Sequence, residues 1–227
     1  MSKSNWSQLI LDLRSDNIKR SVRASQKIDE MAAEAHVPEL YSLLNDESFV
    51  IREAAAYPLA RLEGVKALPL LFQAFTHGFR EGHDNDGLSE IIAHLLETNQ
   101  REAVPLLLQM LKSPDEEIRA NAAWALGFTA SQITSDVLLE ALETETVPKV
   151  RSAITGSLSS FHDSEKVFDK LLELMNDSDE QVKIDAISGL GYLGNQKAIP
   201  YLKEVLTKPS SSRVQEFAEY ALKNLKS

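Results

Sequence analysis

The densest group of chemistry-bearing residues is the segment His77–Gly87, HGFREGHDNDG, and the helix-like stretch that follows it. His83, Asp84 and Asp86 lie in the segment, and Glu90 and His94 follow it one helical turn apart. Imidazoles and carboxylates so spaced suit two kinds of chemistry. They can ligate a transition metal, or a histidine beside a carboxylate can move a proton. A calcium loop does not fit: aligning Asp84, Asp86 and Gly87 with an EF-hand puts Gly82 and Ala93 where acids are required. Nothing in the spacing fixes a coordination geometry, so no catalytic residue, metal or cofactor is assigned. The plainer reading is a turn allowed by its glycines, with Asp86 capping the next helix.

Other chemistries are excluded more firmly. The chain has no cysteine, which removes disulfides, thiolate zinc sites and a cysteine nucleophile. No phosphate-binding glycine loop, G-x-S-x-G elbow or H-E-x-x-H pair occurs. Net charge is −10, from 24 basic and 34 acidic residues, the opposite of what a DNA backbone attracts. A basic protein is the expected partner, and nucleic acid is disfavoured. With 43% hydrophobic and 26% charged residues the chain is that of a folded protein. It has no membrane-length apolar run and no leader-like start, which predicts a cytoplasmic protein.

These residues must be carried by a repeating scaffold. A leading helix opens at Pro38, Pro69, Pro105, Val137, Phe168 and Pro200, in steps of 31, 36, 32, 31 and 32 residues. Proline suits a first helical turn because its missing N–H would have had no partner there. A second marker, an apolar–basic pair, opens the trailing helices at Lys19, Arg52, Arg119, Arg151 and Lys183, with the copy near Asn85 lost, since Arg52 and Arg119 stand two periods apart, and Gln215 as a degenerate last copy. Both markers keep one period. They predict one domain over 1–227, made of seven helix pairs at about 5–35, 36–64, 65–99, 102–132, 133–163, 164–195 and 196–226. The step of 36 marks an insertion, which places the 77–87 segment in a loop. Gly64, Gly127 and Gly194 are expected at helix C-termini.

The stretches AVPLLLQML…SPDEEIRANAAWALG and AIPYLKEVL with DEQVKIDAISGLGYLG resemble HEAT repeats, most of all the type called PBS-lyase HEAT-like repeats. The resemblance covers about residues 36–226. It implies an all-α fold, a right-handed α-solenoid whose trailing helices line the concave face. Families with such repeats include protein-binding adaptors, phycobilin-lyase subunits and, more distantly, DNA-alkylation glycosylases.

Helical phase then separates two faces of the trailing helices. Three and seven residues after each basic residue lie Ala55, Ala122, Ile154, Ala186 and Ala218, and Leu59, Leu126, Leu158, Leu190 and Leu222. These define a buried stripe. Opposite it fall Tyr57, Arg61, Asn121, Trp124, Phe128, Tyr192, Phe217 and Tyr220. Aromatics bury much area at low entropic cost, so Tyr57, Arg61, Asn121, Trp124, Phe128, Tyr192 and Tyr220 are candidate partner contacts, together with His83, Asp84, Asp86, Glu90 and His94. The basic residue itself is expected to pair one turn back, Arg119 with Asp115 and Lys183 with Asp179.

The first expectation for function is a non-enzymatic binding scaffold or adaptor using the concave face and the 77–87 loop, an inhibitor or immunity-type protein being one version. The alternatives are a phycobilin-lyase-like subunit, which is an enzyme component, and a HEAT-like nucleic-acid-binding or base-repair protein.

Overall fold

The computed structural model describes residues 3–83, 85–129 and 131–225. Among them all regular structure is helical. The helices are α1 (Lys3–Leu13), α2 (Ile18–Met31), α3 (Val37–Leu43), α4 (Phe49–Glu63), α5 (Leu68–Arg80), α6 (Asp86–Thr98) and α7 (Gln100–Met110). They continue with α8 (Glu116–Gly127), α9 (Gln132–Thr144), α10 (Pro148–Leu158), α11 (Glu165–Leu174), α12 (Glu180–Tyr192), α13 (Ile199–Thr207) and α14 (Ser212–Asn224). Taken in order they are seven leading and trailing pairs, an all-α fold of the solenoid class. None is long and apolar enough to cross a membrane.

The local signals explain the helix starts. Pro38, Pro69, Pro148 and Pro200 sit in first turns. Asn17, Asp115, Ser131, Ser164, Asp179 and Ser211 accept backbone N–H groups that would otherwise lack partners. Pro105 is different. It lies inside α7, which begins earlier, at Gln100, so it does not open the helix as expected. Gly64 and Gly194 end their helices at φ of 56° and 70°, as expected of C-cap glycines. Gly127 also stands at a helix end, as the last residue of α8, but without a positive φ; it is buried, and a Cβ there would lie 3.1 Å from the Ser157 Cβ, so its role is close helix packing.

Contacts divide the chain into two compact units, residues 1–102 and 103–227. In the first, α2, α4 and α6 pack in succession, with α1, α3 and α5 each against its trailing helix. Ala55 and Leu59 are fully buried there. In the second, α8, α10, α12 and α14 pack in succession, with α9, α11 and α13 behind them. Its buried stripe holds Ala122, Leu126, Ile154, Leu158, Ala186, Leu190, Ala218 and Leu222. A full-size leucine in this stripe contributes about 2–3 kcal/mol through removal from water, which is why period and register are so visible in the sequence.

The arginines that open trailing helices do not pair one turn back. Arg119 spans 26 residues to Glu145, donating from Nε at 2.8 Å and Nη2 at 3.3 Å. Its Nη1 bonds the carbonyls of Ser113 and Pro114 at 2.9 and 3.1 Å. Arg151 repeats the pattern with the Glu145 carbonyl at 3.2 Å and the Asp177 carboxylate. Arg52, fully buried, does so with the carbonyls of Asp46 and Glu47 and the Glu81 carboxylate. Asp115 and Asp179 are occupied as N-caps. Each of these arginines therefore ties its own turn to the turn of the next helix pair.

Candidate functional site

The segment 77–87 is only partly a loop. The apolar run of α5 carries on through Arg80, so most of the insertion lengthens the leading helix. Gly78 lies buried in it and faces Asn85, whose Oδ1 would stand 2.3 Å from a Cβ at Gly78. Asn85, not Asp86, is the N-cap position of α6, and its Nδ2 turns inward to the Phe75 carbonyl at 2.9 Å. Asp86 is the first residue of α6 and is exposed. Asp84 lies outside the described residues. His83 stacks on Phe49 with ring centroids 4.7 Å apart, and its Nε2 is 3.6 Å from Glu81. His77 approaches the same carboxylate at 3.4 Å. The Arg52 guanidinium, helped by these imidazoles, holds the Glu81 carboxyl below the ordinary range. His83 thus belongs to a charged cluster at the α5–α6 turn, apart from Glu90 and His94. Among the described residues no three His, Asp or Glu side chains are grouped so as to hold a metal ion.

Four of the expected contact residues do come together. Tyr57 and Arg61 of α4 and Glu90 and His94 of α6 line one groove of about 470 Å³ in the first unit. Its floor is apolar, formed by Ala60, Ile91 and Leu95. Gly87 brings the start of α6 close to α4, since a Cβ there would meet the Glu53 carboxylate at 2.2 Å. Tyr57 is 53% exposed. Arg61 has a structural task as well. Its Nη2 donates to the carbonyls of Asp29 and Ala32 at 2.7 and 3.2 Å, satisfying the C-terminal end of α2.

The second unit holds a smaller pocket of about 240 Å³. Trp124 and Phe128 form one wall, in edge contact at 4.8 Å between centroids. Both are half-buried, as is Asn121 on the same helix. Gly156 and Asp185 complete the pocket from α10 and α12. The Asp185 carboxylate accepts Ser152 Oγ at 2.5 Å and Gln181 Nε2 at 2.9 Å. Burial pushes this carboxyl above the ordinary range, against those two bonds. Among the described residues no cation lies within ion-pair distance of it, and the nearby Arg213 gives its Nη2 to Gln181 Oε1 at 2.7 Å. Gly156 has a negative φ, lies inside α10, and has nothing within 4 Å of a Cβ built on it. Glycine in a helix costs up to about 1 kcal/mol against alanine, and no packing demand accounts for it here. Asp185 is not among the contact residues expected from the sequence. The available signal was the pairing of a small residue, Gly156, with an acid one repeat later. Tyr192 at the end of α12 and Tyr220 in α14 are exposed at 56% and 51%.

Paired helices in register, joined by arginine ties between successive turns, define a helix-pair repeat protein. The chain matches the HEAT-repeat family over residues 78–159 and 148–223, and it belongs to that family. It is 28% identical over 177 residues to phycocyanobilin lyase subunit beta of Nostoc sp. strain PCC 7120, covering 71% of this chain and 86% of that protein. It is also similar to a chain in the structure of the complex of CpcE and CpcF of phycocyanin lyase from Nostoc sp. PCC7120. There the TM-score is 0.54 at 26% identity, over 69% of this chain and 98% of the other. These two likenesses overturn the expectation of a non-enzymatic scaffold, adaptor or inhibitor. They favour the phycobilin-lyase alternative, which shared repeats alone did not separate from the others because the repeat serves many tasks.

Proposed function

We propose that this chain is a bilin-lyase-like subunit, which holds an open-chain tetrapyrrole and works with a second protein. The observation that carries the reading is the extent of the likeness. It runs over 86% of a phycocyanobilin lyase subunit and 98% of a chain in a lyase complex, not over one repeat pair. The pocket walled by Trp124 and Phe128 supports it, since a conjugated pigment is planar, largely apolar and edged with polar groups. The absence of cysteine means that a bilin held here carries no thioether bond to this chain and can leave it. The groove of Tyr57, Arg61, Glu90 and His94 is assigned to the protein partner, with Tyr192 and Tyr220 as further contacts. An exposed aromatic beside charged neighbours is what a partner surface needs. Mixing the chain with phycocyanobilin and recording the visible spectrum tests the pigment reading. A changed spectrum is expected, and a spectrum identical to that of free pigment sinks it.

A further inference from the structure

Asp185 of α12 lies half-buried against Ser152 of α10, and Gly156 opens a space on α10 in the same pocket. The carboxylate has left much of its water behind, yet no cation among the described residues is in contact with it. Its two partners, Ser152 and Gln181, are neutral donors that fix its direction without neutralising it. Gly156 weakens its helix, and no side chain among the described residues comes within 4 Å of the place its Cβ would take. Trp124 and Phe128 stand across that space. The features are complementary to one kind of group, a flat ring that offers N–H donors or positive charge to a carboxylate while stacking between apolar walls.

We propose that this pocket receives a pyrrole ring of the bilin, with the Asp185 carboxylate accepting the ring N–H and Gly156 giving the ring its room. The assignment rests on the bilin-lyase reading and specifies the site within it. A volume of about 240 Å³ is below the usual 300–1,000 Å³ of a whole drug-sized ligand site. The pocket therefore takes one part of the tetrapyrrole, and the rest lies along the surface. A carboxylate beside the ring nitrogens also stabilises their protonated form, which in a conjugated pigment absorbs further to the red.

The test uses the full chain and phycocyanobilin, with Asp185→Asn and Gly156→Leu. Circular dichroism is run first, and both variants are expected to be as helical as the wild type. A Cβ at 156 meets nothing within 4 Å among the described residues, and leucine is the better helix former, so leucine there projects into the pocket and the dichroism control separates a blocked pocket from a failed fold. The expected result is a red-shifted, saturable complex for the wild type, at least tenfold weaker binding for Gly156→Leu, and loss of the red shift in Asp185→Asn. If the wild type binds and both variants bind and shift alike, this site is wrong while the bilin reading stands. If the wild type leaves the spectrum unchanged, both fall.

Discussion

Arg119 holds Glu145 from two sides, Nε at 2.8 Å and Nη2 at 3.3 Å, and so joins one inter-helix turn to the next. Both side chains are largely shielded, 17% and 11% exposed. Arg119→Ala leaves that carboxylate with only the backbone N–H groups of Thr146 and Val147 as donors and takes the donor from the Ser113 and Pro114 carbonyls. Charge-assisted bonds of this kind contribute about 1.5–3 kcal/mol each when buried, and less where water screens them. We expect a loss of about 2 kcal/mol in urea unfolding, with helical content retained before the transition. A change under about 0.5 kcal/mol would show the tie to be ornamental.

The same ties set the acid response. Burial alone would raise the carboxyls of Glu145 and Asp177, but bonds from Arg119, Arg151 and backbone N–H groups outweigh it and hold both below their ordinary values of 4.5 and 3.8. A depressed folded pKa gives stability that is present above the ordinary value and lost as pH falls through the folded one. Asp185 runs the other way: its raised carboxyl favours the fold at low pH and gives that up as pH rises through its folded value. Tm should therefore fall as pH drops below about 4, and the fall should be shallower in Arg119→Ala. Equal slopes in the two proteins would disconnect the ties from the acid response.

Residues kept for binding should be costly to the fold. Asp185→Asn removes a half-buried charge and keeps a group that can bond Ser152, so Tm at neutral pH should equal or exceed that of the wild type. Gly156→Ala should add about 0.4–1 kcal/mol. Calorimetry decides both. A destabilised Gly156→Ala would mean that the chain itself uses the open space.

Sequence periodicity revealed the scaffold because burial repeats. Ala122 and Leu126 recur in phase, and each copy reports the same inward face. What it hid was contact between copies. Arg119 looked like a local partner of Asp115, since i,i+4 spacing is visible within one helix and a reach of 26 residues is not. The α5 insertion read as a loop because its glycines and polar residues outweigh the continuing apolar phase of Phe72 and Phe75. Tyr57, Arg61, Glu90 and His94 were legible singly, and only the α4–α6 packing makes them one groove. Asp185 carries no signal of its own in the sequence. Its pocket exists because Gly156, on another helix, lacks a side chain.

A chain with no thiol should release its pigment intact. After the complex is denatured in acidic urea and passed over a sizing column, all the bilin should elute apart from the polypeptide. Pigment that stays with the denatured chain would mean a covalent bond through some other side chain.

The most direct measurement is an equilibrium titration of phycocyanobilin with the wild-type chain, followed across the visible spectrum. A bilin-lyase-like subunit predicts a shifted band that saturates at a fixed pigment-to-chain ratio. A spectrum that stays that of free phycocyanobilin through excess protein contradicts it.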